Sequence, residues 1–155
     1  YRRAAFKEDI MVYNEKIMDL FSMPDEYYLA HCISADFALG KGIAKEFDRR
    51  FGVRQTLKRD FSKFFADDYS DGACIRTGRV LNLVTKEKYY QKPTYKSLEQ
   101  SLQAMKNICL HRKVQKIAMP MIGCGLDKLE WDRVSQIIKK IFGDTDMEIL
   151  VCKLR

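Results

Sequence analysis

The sequence predicts a three-layer α/β/α sandwich around a mixed, largely parallel sheet. Three observations carry this. Apolar runs of strand length alternate with segments whose apolar residues recur at helical spacing. The run "YYLAHCIS" is nearly continuously apolar, as expected of a strand covered on both faces. No repeat, low-complexity segment or Pro/Gly/Ser linker divides the 155 residues, so they read as one domain.

The elements follow in order. "DIMVYNE", around Ile10–Tyr13, and "YYLAHCIS", from Tyr27 to Ile33, read as strands. "GIAKEFDRRFG" sets Ile43, Phe47 and Phe51 on one helical face, with Gly52 as its stop. "TLKRDFSKFFADD" repeats the spacing with Leu57, Phe61 and Phe64/Phe65. "ACIRTGRVLNLVTK" reads as two strands around a turn at Thr77-Gly78. In "TYKSLEQSLQAMKNICLH", Leu98, Leu102, Met105 and Cys109 share a face, and Thr94 can cap the start after Pro93. "KIAMPMI" reads as a short buried strand. "WDRVSQIIKKIF" is a helix carrying Trp131, Val134, Ile138, Ile141 and Phe142, and "EILVCKL" is a last strand.

Composition bounds the function classes. Hydrophobic residues at 46% and aromatics at 12% argue against disorder. No apolar run approaches the ~20 residues of a membrane helix, and "YRRAAFKEDI" lacks the apolar core of a secretion signal. Five scattered cysteines without CxxC spacing favour reduced thiols over a disulfide framework or zinc site. His31 and His111, the two histidines, supply a metal site poorly. The net charge of +7 suits a polyanionic partner, yet the charges are spread out and no RNA-binding aromatic signature accompanies them.

Ligands of such sheets sit outside the carboxyl ends of the strands. Two glycine loops run from a strand toward a helix there: "ALGKGIA", Ala38 to Ala44, and "IGCGLD", Ile122 to Asp127. Facing each other, they can hold a diphosphate through close backbone approach and free helix-start amides. Neither completes a Walker A or GxGxxG pattern, and each alone also reads as a tight turn. Asp127 is either a helix cap or a carboxylate delivered beside that diphosphate. Lys86, ending "VLNLVTK", is either a solvated edge lysine or an amine at a strand tip. Asp19 either caps a turn or accepts from an adenine amino group. A Cys32–His31 nucleophile pair is disfavoured, because neighbours on a strand point to opposite faces.

Taken in order, "LAHCIS", "GKGIAKEF", "LVTK", "KPTY", "SLQAMK" and "MPMIGCGLDKLEW" resemble a macrodomain, specifically the ADP-ribosyl-glutamate hydrolases (terminal ADP-ribose protein glycohydrolases). The resemblance runs from about Ile10 to the last strand. Most macrodomains carry an asparagine-rich segment where this chain has "HCIS", which also fits that subfamily. It implies a macrodomain sandwich over residues 9–155, with 1–8 an N-terminal extension expected to be poorly ordered.

By the same resemblance, Lys86 is the nucleophile and Asp127 its acid–base partner. Asp19 lies near the adenine amino group and Ser34 near the distal ribose. Gly40, Gly42 and Ile43 line one side of the diphosphate; Gly123, Cys124, Gly125 and Leu126 line the other. Leu20, His31, Ala44, Thr85, Pro120 and Ile122 complete the substrate-binding set. One departure stands out: the family reads Lys-Gly-Asp before Leu-Phe, whereas "IMDLF" places Met18 at the glycine.

The expected reaction is hydrolysis of the ester between ADP-ribose and protein glutamate or aspartate, and deacylation of O-acyl-ADP-ribose. No cofactor or metal is expected. The expected partners are ADP-ribose, mono-ADP-ribosylated proteins and poly-ADP-ribose, with no membrane and no specific nucleic acid. The chain is expected to be a monomer in the nucleus or cytoplasm. A lysine attacks only as the neutral amine; Lys88, two residues on, would share a face with Lys86 if the strand continued, and like charge there favours proton loss. A non-catalytic ADP-ribose reader, an ADP-ribose-1''-phosphate phosphatase and a plain nucleic-acid binder are the alternatives.

Overall fold

The computed structural model describes residues 10–68 and 72–154, the stretch 63–68 by its backbone alone. The expectations for residues 1–8, Phe64 and Phe65 lie outside the described residues and side chains. Six strands form one sheet: β1 (Val12–Ile17), β2 (Tyr28–Ser34), β3 (Ala73–Thr77), β4 (Val80–Lys86), β5 (Lys116–Met119) and β6 (Glu148–Lys153). Their spatial order is β1-β6-β5-β2-β4-β3. Every neighbouring pair is parallel except β3 with β4, the hairpin turning at Gly78-Arg79. Four α-helices are described: α1 (Gly42–Phe51), α2 (Val53–Asp68), α3 (Tyr95–Arg112) and α4 (Trp131–Phe142).

Strand alternation divides the apolar residues between two cores. Leu81, Leu83, Ile117, Met119, Ile149 and Val151 pack with Leu98, Leu102 and Met105 of α3 and Val134 and Ile138 of α4. Their neighbours Val80, Val84, Ala118, Leu150 and Cys152 face the other way, onto Phe47 of α1 and Leu57 of α2. Both faces of the sheet are therefore covered, which is why its central strands read as unbroken apolar runs.

Several element bounds differ from the sequence reading for physical reasons. β1 starts at Val12 and runs on through the polar "NEK", because as an edge strand it is mostly exposed and shows little apolar pattern. β5 ends at Met119, since Pro120 has no amide to continue the ladder; "PMI" belongs to the following loop. α2 begins three residues earlier than the apolar spacing suggested. Only Gly52, left-handed at φ 61°, separates it from α1. β4 stops at Lys86, so Lys88 is not on the strand: it lies in an exposed turn with its amide on Gln91 Oε1 at 2.8 Å. The supposed help of Lys88 to the Lys86 amine through a shared strand face thus has no strand to stand on.

Candidate active site

The carboxyl ends of β2 and β4 meet with an irregularity. Pairing runs Ile33↔Val84 and then Ser34↔Lys86, so Thr85 is an extra residue in β4. A bulge of this kind re-aims the side chain that follows it. Lys86 Nζ then donates to Asp127 Oδ1 at 2.8 Å, across 41 residues of sequence. The two side chains are 16% and 15% exposed, sheltered yet open to a ligand.

The sequence left two roles open for Asp127, and the geometry separates them. Helix α4 starts at Trp131 with Glu130 at the cap position, so Asp127 caps no helix. Its carboxylate is spent on the lysine. Asp19, in contrast, does cap a turn: Oδ1 accepts the Phe21 amide at 2.9 Å, ahead of the 3-10 turn Leu20–Ser22.

The two glycine loops come together. A Cβ placed on Gly42 would stand 3.7 Å from Leu126 Cδ1, so the 38–42 and 122–127 loops face one another. Lys41, at the cap position of α1, makes no side-chain cap bond, which leaves the first amides of the helix free of a side-chain acceptor. Gly123 has φ 74°, and a Cβ there would meet Leu129 Cδ1 at 2.9 Å, so a side chain at this turn would strain the backbone and displace Leu129. Gly123 O also accepts the Leu129 amide at 2.7 Å, which holds the loop against the start of α4.

Supporting contacts hold Lys86 and Asp127 in place. Thr94 and Ser97 form a reciprocal capping box at the start of α3, and Ser97 Oγ donates to Thr85 O at 2.6 Å, next to Lys86. Tyr95 OH accepts the Glu130 amide at 3.0 Å, three residues past Asp127. The "KPTYKS" stretch therefore ties the end of β4 and the segment just before α4 to one helix end. Trp131 Nε1 donates to Glu15 Oε2 at 3.0 Å, joining α4 to β1.

The sequence reading missed Asp36. Its Oδ1 accepts from Ser34 Oγ at 2.5 Å and from the Ala38 amide at 3.2 Å, while Oδ2 accepts the Tyr89 amide at 2.9 Å. One carboxylate so connects Ser34, the first glycine loop and the turn after Lys86. The available signal was the "SAD" order after a strand, where an aspartate often accepts from the amide two residues on; its long-range partner carries no such signal.

The remaining residues expected at the site divide by exposure. Gly40, Gly42, Gly125 and Leu126 are exposed, while Ile43, Ala44, Pro120, Gly123 and Cys124 are half-buried. Leu20, Ser34, Thr85 and Ile122 are buried, so their side chains offer a ligand little surface. His31 is a correction. Its ring is fully buried on the α1 side, stacked on Phe47 at 3.9 Å, with Nε2 against Asn82 Oδ1 at 2.5 Å. A side chain so placed does not touch a ligand. Burial lowers its pKa to about 4, so the ring is neutral.

Cys32 faces the opposite core, as strand alternation requires. Burial, with the nearby Asp127 carboxylate adding to it, pushes its thiol up to about 12. Protonated and apart from His31, it is no nucleophile of a Cys–His pair.

Among the described residues, no three His, Cys, Asp or Glu side chains gather as a metal site. Residues 30–138 match the family model described as "Macro domain". The chain belongs to the macro domain family. Within it, ADP-ribose glycohydrolase OARD1 of Homo sapiens is 43% identical over 137 residues, 88% of either chain. The "Macrodomain of Thermus aquaticus DarG" shares the macro domain architecture at TM-score 0.77 and 22% identity, over 92% of this chain and 98% of that one. "Thermosipho africanus DarTG in complex with ADP-ribose" does so at TM-score 0.71 and 17% identity, over 90% of this chain and 41% of that one. At these identities the likeness to the solved structures concerns the fold.

Proposed function

We propose that this macro domain binds ADP-ribose and hydrolyses the ester joining its distal ribose to protein glutamate or aspartate, with Lys86 as nucleophile and Asp127 as acid–base partner. The observation that carries the reading is the 2.8 Å Lys86–Asp127 contact beside the two facing glycine loops. The 43% identical human relative named as an ADP-ribose glycohydrolase supports it. The diphosphate lies between the 38–42 and 122–127 loops, and Asp19 and Leu20 lie toward the adenine.

Asp127 first takes a proton from the Lys86 ammonium along their contact. The neutral amine attacks the anomeric carbon: a C–N bond forms, the C–O bond to the acyl group breaks, and its electron pair leaves with the carboxylate. Asp127 returns its proton to the departing oxygen or the ring oxygen. Water then cleaves the C–N adduct, which frees ADP-ribose and restores the lysine. The same steps release an O-acyl group attached at that carbon. The working compartment is reducing, nucleus or cytoplasm; support comes from five cysteines that all stand as free thiols.

The test is release of ADP-ribose from a glutamate-linked ADP-ribosylated protein. Lys86→Ala and Asp127→Ala are each expected to lower turnover by about 100-fold or more while ADP-ribose binding persists in calorimetry. Mass spectrometry of a quenched reaction is expected to find the sugar on Lys86. Full turnover by Lys86→Ala sinks the mechanism; binding without release by the unaltered protein leaves a reader.

A further inference from the structure

Two large aromatic side chains stand in solvent on the turn that follows Lys86. Tyr89 is 60% exposed and Tyr90 69%, their rings edge-to-face at 5.4 Å. The turn that carries them is built, since Gln91 N–H donates to Lys88 O at 3.1 Å and the Lys88 amide to Gln91 Oε1 at 2.8 Å. Its flanks are pinned as well: the Tyr89 amide reaches Asp36, and Lys92 Nζ donates to Leu126 O at 2.6 Å. A pinned loop with its rings outward loses little conformational entropy on binding a partner. Tyrosines in such positions offer broad amphipathic contact area.

The charges around the rings have a sign. On the three loops bordering the Lys86–Asp127 pair, the exposed charged residues are Lys41, Glu87, Lys88, Lys92, Lys128 and Glu130, four of the six positive. The leaving group of the proposed reaction is a carboxylate on a polypeptide, and it departs from the carbon that Lys86 attacks. The polypeptide therefore runs off beside Lys86, and Tyr89 is three residues along. We infer that Tyr89, Tyr90 and Lys88 form the docking surface for the polypeptide that carries the ester, selecting segments with further carboxylates beside the modified residue. This rests on the ester-hydrolase reading above and adds to it where the protein half of the substrate sits.

The test measures affinity with a stable probe: ADP-ribose joined through an amide to a short peptide flanked by Asp and Glu, compared with free ADP-ribose. The unaltered protein is expected to bind the conjugate about tenfold tighter than free ADP-ribose. A Tyr89→Ala/Tyr90→Ala variant should lose that gain yet bind free ADP-ribose unchanged, which also shows that it is folded. Lys88→Glu should lose the gain for the acidic peptide and keep affinity for one with Ser and Gly flanks. An equal gain in the unaltered and the tyrosine variant proteins overturns the proposal. So does a tyrosine-dependent affinity for single-stranded RNA with no peptide gain. Failure to bind free ADP-ribose at all strikes the functional reading itself, a result distinct from ADP-ribose binding to which the peptide adds nothing.

Discussion

His31 and Asn82 sit directly opposite one another on β2 and β4, and both are wholly buried. Asn82 Nδ2 donates to Ile75 O and Thr77 Oγ1 at 2.9 Å each, so the pair joins three strands through side chains. With its pKa lowered from 6.5 to about 4, the ring must stay neutral in the fold, whereas the unfolded chain takes up the proton as soon as pH falls through 6.5. The contribution is therefore fully present above pH 6.5 and is lost progressively down to about 4. Unfolding titrations between pH 6.5 and 4.5 should show the protein losing about 2–3 kcal/mol more than His31→Gln. Glutamine keeps a donor for Asn82 but does not titrate. The same residue shows a limit of reading by motif: "LAHCIS" drew attention to His31 because of its neighbours, whereas strand alternation sent its side chain into the core.

The strand-end loops are organised by hydrogen bonds between elements distant in sequence, and here the sequence was least legible. Both glycine loops were visible because paired glycines after a strand stand out in a sequence, whereas the left-handed turns at Leu39 and Lys128 beside them carry no such mark. The bulge at Thr85 was not, since any residue can occupy it, and Asp36 was missed because its partner amide at Tyr89 lies 53 residues away. Asp36→Ala removes the acceptor for Tyr89, Ala38 and Ser34 together. Amide exchange at Tyr89 and Ala38 is expected to quicken by about tenfold or more, with a stability cost of about 1–3 kcal/mol. Exchange in the α3 core, at Leu102 and Met105, should follow only the global loss. Unchanged exchange at Tyr89 means that the carboxylate does not hold the turn. Elements with both faces covered were read well, since burial itself writes their pattern; β1, exposed along most of its length, was placed two residues early.

At the scale of the whole molecule, the alternation of strands and helices made the layered architecture legible, but not the strand order. β1 and β6, far apart in sequence, lie side by side, and nothing in their residues announces the pairing. The excess of positive charge, +7, has no single seat in the sequence. Such a field attracts an anionic nucleotide over a distance that salt shortens, to about 10 Å at 0.1 M. Raising ionic strength from 50 to 300 mM is expected to weaken ADP-ribose binding by only about two- to fivefold, mostly through the association rate. A nucleic-acid partner held by many phosphates would lose far more over the same range.

The parallel pairing of β1 with β6 has a practical corollary for handling the protein. Both strands run toward the loops that carry Lys86 and Asp127, so the backbone enters β1 at the far rim and leaves β6 on the side of those loops. An affinity handle or surface anchor joined ahead of Val12 should leave the ligand entrance open. One fused beyond Leu154 would emerge beside it and crowd large clients before small ones.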